Sequence, residues 1–423
     1  MSASYAQVLC LPHARRTFAA ALTGRLSYGI VPLSVLLAVA RASGSYAVAG
    51  VVMALFSATS VFLSPARATL IDRHGPRRAL LPMAAVYTAL LGLLTVIVWR
   101  PGAASPLVLG AVTAAAGACT PPLGPTMRAV WARLAPERAL VQRAYSLDGV
   151  AEELLFVSGP LLVGVIVGFA PPAFGILVGA ALIAFGTAAF VSSPAVRDVR
   201  PGDGAAKPGG TGRRPVLRGI RRPVIAAAGV GLALGVAELL VVAFAEGHGH
   251  GGDSAAWVLA ALSAGSAVGG LLNGAVAWRT PARVRLPLLV AGLGPALLGA
   301  ALAPGLGTLT AAMAVTGFFV APAITTAYLI ADETASPEAR VRAGAWVNTA
   351  VNAGGTAGAA LAGLLIGPLA TGWCFAAVAA VTLLAAVAAA RGATRDGGAP
   401  GGVGDGGAAV AERRQSSSPS LSS

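Results

Sequence analysis

The sequence predicts an all-α integral membrane protein of twelve transmembrane helices, arranged as two pseudo-symmetric six-helix bundles. Three observations predict it. Of the 423 residues, 56% are hydrophobic and only 11% charged, and the mean hydropathy is +0.77; a polytopic helical membrane protein needs that apolar surface and a water-soluble globule does not. Stretches long enough to cross a hydrocarbon core of about 30 Å as helices recur along the chain. The second six of these stretches echo the first six at a fixed offset.

The first six spans fall at 17–41, 47–70, 79–99, 105–127, 144–169 and 172–192, and the second six at 223–245, 254–277, 286–303, 306–331, 343–366 and 368–390. The first is read as a span and not a removed signal, because it lacks a small-x-small cleavage site and equivalent segments follow it. Spans 9 and 10 are parted only by Pro304-Gly305. Residues 1–192 form the first bundle and 223–391 the second. Between them 193–222, rich in Gly, Pro and Arg and without apolar periodicity, reads as a linker. The Gly, Ala and Ser-rich tail 392–423 reads as disordered.

Arginine placement orients the spans. One set of loops carries Arg15 and Arg16; Arg73, Arg77 and Arg78; Arg128, Arg133, Arg138 and Arg143; the linker; Arg279, Arg283 and Arg285; then Arg340 and Arg342. The opposite loops hold Arg41 and Arg100 and otherwise no lysine or arginine. The positive-inside rule makes the first set, both termini and the linker cytoplasmic, and a multi-pass protein of a bacterial inner membrane is expected. The net charge of +14 is thereby accounted for in short loops, with no basic face or interleaved aromatics to suit nucleic acid.

A shift of 200 residues sets Gly117 on Gly317, Pro122 on Pro322, Asp148 on Asn348 and Glu152 on Asn352. Between spans 2 and 3, Asp72-Arg73-His74-Gly75-Pro76-Arg77-Arg78 supplies a carboxylate, three arginines and a turn-making Gly-Pro, as a short cytoplasmic loop needs. A degenerate echo, Arg279-Thr280-Pro281-Ala282-Arg283, lies between spans 8 and 9. The loop resembles the G-x-x-x-D-R-x-G-R-R signature of the major facilitator superfamily. Asp72, Arg73, Gly75, Arg77 and Arg78 fit, Pro76 is an extra residue, and Ala68 stands at the leading glycine. The resemblance implies parallel six-helix repeats around a cavity that opens alternately to each side. It also implies that Asp72 caps the N-terminus of span 11 when the protein is open outward, with the arginines stabilising that closed side.

Ionisable groups inside spans are costly and need a partner or a task. Arg25 and Glu152 lie at similar depth from the cytoplasmic ends of spans 1 and 5, so an Arg25–Glu152 or Arg25–Glu153 pair is predicted, either pinning two helices or serving transport. Asp148 and Glu152 share a helix face, as do Asn348 and Asn352; the carboxylates either bind a proton or cation at the cavity or brace helix ends. Glu238 in span 7 has no basic partner in its span and is a candidate for coupling or substrate binding, the alternative being a permanently neutral acid. Pro121, Pro122, Pro125, Pro160 beside Gly159, and Pro322 free carbonyls and allow spans 4, 5 and 10 to bend. Gly159-Pro160 resembles part of the antiporter glycine-proline element. The arginine that many proton antiporters of the superfamily carry in span 4 is replaced near Thr113.

The cavity, lined by spans 1, 4, 7 and 10, is expected to present Arg25, Tyr28, Thr120, Glu238, Thr325 and Tyr328. No nucleotide-binding, zinc-protease or Cys/His pattern appears, and Cys10, Cys119 and Cys374 are far apart. The sequence reading is therefore not an enzyme but a secondary transporter, a monomer in the lipid bilayer. It needs no cofactor beyond a proton gradient and moves a small-molecule substrate. Proton-coupled export of an amphiphilic compound is expected, with metabolite uptake by symport or a non-transporting receptor as alternatives.

Overall fold

A computed structural model describes residues 5–99, 105–197, 216–249, 252–366 and 368–391. Residues 198–215 of the expected linker and all of the 392–423 tail lie outside the described residues. Within them the spans are helices: Ala14–Ser43, Tyr46–His74, Pro76–Val98, Pro106–Leu134, Arg138–Phe169 and Pro172–Ser192 in the first half. The second half holds Arg221–Gly247, Gly252–Ala275, Ala282–Ala301, Leu306–Thr334, Arg340–Leu365 and Thr371–Ala390. Eleven of the described helices are long and apolar enough to cross a membrane. Span 11 (Arg340–Leu365) is long but more polar, because Asn348, Thr349, Asn352 and Thr356 all fall within it.

The proline-marked spans differ from one another. Pro121 and Pro122 interrupt span 4, which runs as Pro106–Cys119 and then Leu123–Leu134. Two consecutive residues without N–H groups break the ladder outright, so this is a break where a bend was expected. Pro125 sits in the first turn of the second piece, while Pro160 and Pro322 lie inside continuous helices. Span 2 is also in two pieces, Tyr46–Phe62 and Ser64–His74. The loop expected at 72–78 shrinks to one residue. Asp72, Arg73 and His74 finish span 2 and Pro76 begins span 3, with Gly75 between them at φ 82°. Only glycine reverses the chain there without strain, and proline suits a first helical position.

Small residues set the helix contacts, as they do where backbones must approach within a bilayer. A Cβ added at Gly117 would collide with the Phe56 carbonyl of span 2, and one at Gly317 with the Leu262 carbonyl of span 8. The repeat read from sequence therefore marks equivalent contacts in the two halves. Gly231 and Gly235 of span 7 likewise meet the backbone of Val351 and Gly355 in span 11. Leu107, Phe185 and Leu364 are exposed, which suits a surface solvated by lipid.

Candidate functional site

Arg25, Arg128, Asp148 and Glu152 form one compact group inside the first half. Arg25 Nη1 lies 2.6 Å from Asp148 Oδ1 and its Nη2 3.1 Å from Glu152 Oε2. Arg128 Nε lies 2.9 Å from Asp148 Oδ2, and Arg128 Nη2 pairs with the same Glu152 Oε2. Two cations and two anions cancel, and each guanidinium is held by both carboxylates, which is how charge survives in a low dielectric. Helical spacing makes this possible: Asp148 and Glu152 are one turn apart on span 5. Arg25 and Asp148 each stand about 15 Å along their helices from the arginine-rich end at ~1.5 Å per residue. The Asp148 side chain is fully buried, whereas that of Glu152 is 28% exposed.

The sequence reading offered Glu152 or Glu153 as the partner of Arg25. Glu152 pairs with it and Asp148 shares it, but Glu153 turns away and accepts a 2.8 Å hydrogen bond from Ser266 of span 8. Glu153 points to an adjacent face of the helix because it is one residue, about 100°, further round. Arg128 corrects the reading in a second way. It is buried, not in a loop, because span 4 continues to Leu134 and carries it inward. The signal in sequence was the apolar continuation through Val130, Trp131 and Leu134 at helical spacing.

The cluster reaches the second half through Arg128, whose guanidinium carbon sits 3.9 Å from the ring centroid of Tyr328. The Tyr328 hydroxyl donates to Asn348 Oδ1 at 3.2 Å. Thr325 and Tyr328 are buried between the halves and Thr120 is buried beside span 2, so none of the three faces open space in this conformation. Tyr28 is half-buried; its hydroxyl donates to the Pro121 carbonyl and accepts from Leu123 N–H at 3.3 Å, bridging the break in span 4. Asn352 is exposed and donates to the Asn348 carbonyl at 2.8 Å. Glu238 is exposed, is within electrostatic reach of Glu153, and has no ion pair among the described residues.

At the arginine-rich end the halves are joined. Asp72 Oδ2 accepts from the Arg342 N–H at 3.1 Å, at the N-terminus of span 11. Arg138 Nε pairs with Glu333 Oε1 at 2.7 Å on the rim, and deeper in, Thr349 donates to the Val61 carbonyl at 3.0 Å. Arg73, Arg77 and Arg78 are exposed beside Asp72, and Gly75 makes the turn. Arg67 is buried, its Nη1 donating to the carbonyls of Gly117 and Ala118 that end the first piece of span 4. Among the described residues no group of three His, Cys, Asp or Glu side chains is placed to hold a metal ion.

The comparisons with known proteins agree with this architecture. A family model described as Major Facilitator Superfamily matches residues 17–312 and 224–419. No curated protein sequence matches the chain. Among solved structures, a bacterial homologue of the iron transporter ferroportin in an outward-facing state is similar at TM-score 0.71 and 14% identity, over 90% of this chain and 98% of that one. The human organic anion transporter MFSD10 is similar at TM-score 0.67 and 15% identity, over 89% and 99%. The Escherichia coli fucose:proton symporter is similar at TM-score 0.63 and 13% identity, over 88% and 98%. At such identities the likeness is one of fold.

Proposed function

The chain belongs to the major facilitator superfamily of membrane transporters, and from that premise we propose that it exports a small amphiphilic cation in exchange for protons. It is a multi-pass secondary transporter and not an enzyme; the direction, the coupling ion and the substrate charge are our reading. The positive-inside rule assigns the arginine-rich end to the cytoplasm of a bacterial cell. With that end joined by Asp72, Arg138 and Thr349, the conformation corresponds to the outward-facing one.

One observation carries the reading. Arg25 and Arg128 are already neutralised by Asp148 and Glu152, which leaves Glu153 and Glu238 without a cationic partner among the described residues. Glu153 lies at the seam between the halves, on Ser266, and Glu238 on span 7 lies within its electrostatic reach. What this seam lacks is positive charge, and protons and an organic cation compete for the same two carboxylates. Competition at one site is sufficient for exchange: a proton displaces the cation outward, and the cation displaces the proton inward.

Proton movement in proteoliposomes tests this, with an imposed pH gradient and a panel of amphiphilic cations, neutral antibiotics and sugars. Cations alone are expected to dissipate the gradient, with the flux lost in Glu238→Gln. Dissipation driven by sugars, or an undiminished flux in Glu238→Gln, would count against the reading.

A further inference from the structure

Span 8 (Gly252–Ala275) ends at the arginine-rich end, where an α-helix leaves its final carbonyls without helical partners. Side chains of the other half reach two of them, the Asn273 carbonyl being shared with Trp278 Nε1 of span 8's own half at 3.0 Å. The Gln142 amide of span 5 donates to the Asn273 carbonyl at 2.5 Å, and Arg143 Nη2 donates to Ala275 at 3.4 Å. One turn deeper the Tyr5 hydroxyl adds a bond to the Leu271 carbonyl at 2.5 Å, a carbonyl still within the helical ladder. Arg285, in the first turn of span 9, donates to Gln142 Oε1 at 3.2 Å and so fixes which end of that amide faces Asn273. Gly274 makes the approach possible, since a Cβ there would strike the Tyr5 hydroxyl and Ser146.

Tyr5 comes from a short helix, Tyr5–Cys10, that precedes span 1. Val8 of that helix is fully buried, and Arg15 of span 1 donates to the Leu9 carbonyl at 3.1 Å. The helix is thus fastened to the first half while its tyrosine reaches across to the second. We propose that the Tyr5–Cys10 helix is a strap that holds the arginine-rich end shut by bonding to the C-terminal end of span 8. It is the opposite-polarity counterpart of Asp72. A carboxylate meets the positive end of span 11, whereas hydroxyl, amide and guanidinium donors meet the negative end of span 8. Opening this end withdraws span 8 from all three donors, so the strap sets how often the transporter faces inward. The inference concerns the gate alone and is independent of substrate and coupling ion.

Spin-label distances in the full-length protein test it, in lipid nanodiscs without substrate. Labels are placed at Arg133→Cys and Arg283→Cys, exposed positions on opposite halves, after Cys10, Cys119 and Cys374 are replaced by serine. Tyr5→Phe keeps the ring and removes one hydrogen bond, and is expected to raise the open-to-closed ratio roughly three- to ten-fold. Gly274→Ala, which crowds both the Tyr5 hydroxyl and Ser146 of span 5, is expected to act in the same direction. An unchanged distance distribution in Tyr5→Phe overturns the proposal whatever Gly274→Ala does. If Tyr5→Phe cannot be purified, Gly274→Ala decides alone, and no shift there overturns it.

Discussion

Arg128 lays its guanidinium 3.9 Å from the centroid of the Tyr328 ring, so a cation embedded in one half rests on an aromatic face of the other. This contact exists only while the arginine-rich end is closed. A desolvated cation–π pair is worth about 2 kcal/mol, enough to shift a two-state balance more than tenfold. Tyr328→Leu is expected to move the equilibrium by about that factor toward the state open at the arginine-rich end. Tyr328→Phe keeps the face and loses only the 3.2 Å bond to Asn348, which lies within the same half, so little or no shift is expected. Spin-label distances across the arginine-rich end separate the two; equal shifts would assign the effect to the hydroxyl.

Asp148 accepts from Arg25 at 2.6 Å and is ion-paired with Arg128 at 2.9 Å, with no exposed surface. Asp148→Asn leaves two guanidinium groups facing one carboxylate in a dry interior, and a cost of about 3–5 kcal/mol is expected. Removing the surplus cation as well, in Asp148→Asn with Arg128→Gln, is expected to recover most of that loss. Thermal unfolding of the purified protein reads both. A double variant no more stable than the single one would show that packing, and not charge balance, holds the group.

Much of this was legible in the chain. Eleven of the twelve spans follow from apolar length, and equal depth from the arginine-rich end brought Arg25 to Glu152. The share taken by Asp148 was not legible, because depth alone does not give the angle at which spans 1 and 4 approach span 5. Arg128 was hidden for a related reason: an arginine next to a loop counts as topology until the helix is seen to continue to Leu134. The capping of span 8 left no pattern at all. Its acceptors are backbone carbonyls, which every sequence possesses, and only Tyr5, Gln142 and Arg143 reveal it once they are in place.

The two halves depend on glycines whose substitution has sharply different expected effects. A Cβ at Gly235 would collide with the Gly355 carbonyl in span 11, whereas one at Gly92 meets nothing within 4 Å. Spans 7 and 11 must separate to admit a methyl group, so Gly235→Ala is expected to cost about 1–3 kcal/mol as overpacking does. Gly92→Ala removes backbone freedom at no steric cost, so neutrality or a gain of about 0.5–1 kcal/mol is expected. Melting temperatures of the two variants side by side make the comparison, and a similar loss in both would mean the tight contact is not what Gly235 serves.

Asp72 acts on span 11 from outside it. The residue at the N-cap position of that helix is Ala339, which has no side-chain acceptor, and Asp72 supplies one from span 2 through the 3.1 Å bond to Arg342 N–H. Charge and hydrogen bond are separable here. Asparagine is as good a cap acceptor as aspartate, so Asp72→Asn removes the charge–dipole attraction and keeps the bond, at about 0.3–1 kcal/mol. Asp72→Ala removes both, at about 1–2 kcal/mol. The open population at the arginine-rich end is therefore expected to rise in the order wild type, Asp72→Asn, Asp72→Ala, by roughly threefold and then tenfold. Because the cap exists only when the halves meet, the substitutions are expected to leave unfolding temperature nearly unchanged while moving the distance distribution. A large loss of thermal stability with an unmoved distribution would make Asp72 a brace of its own half and not part of the gate.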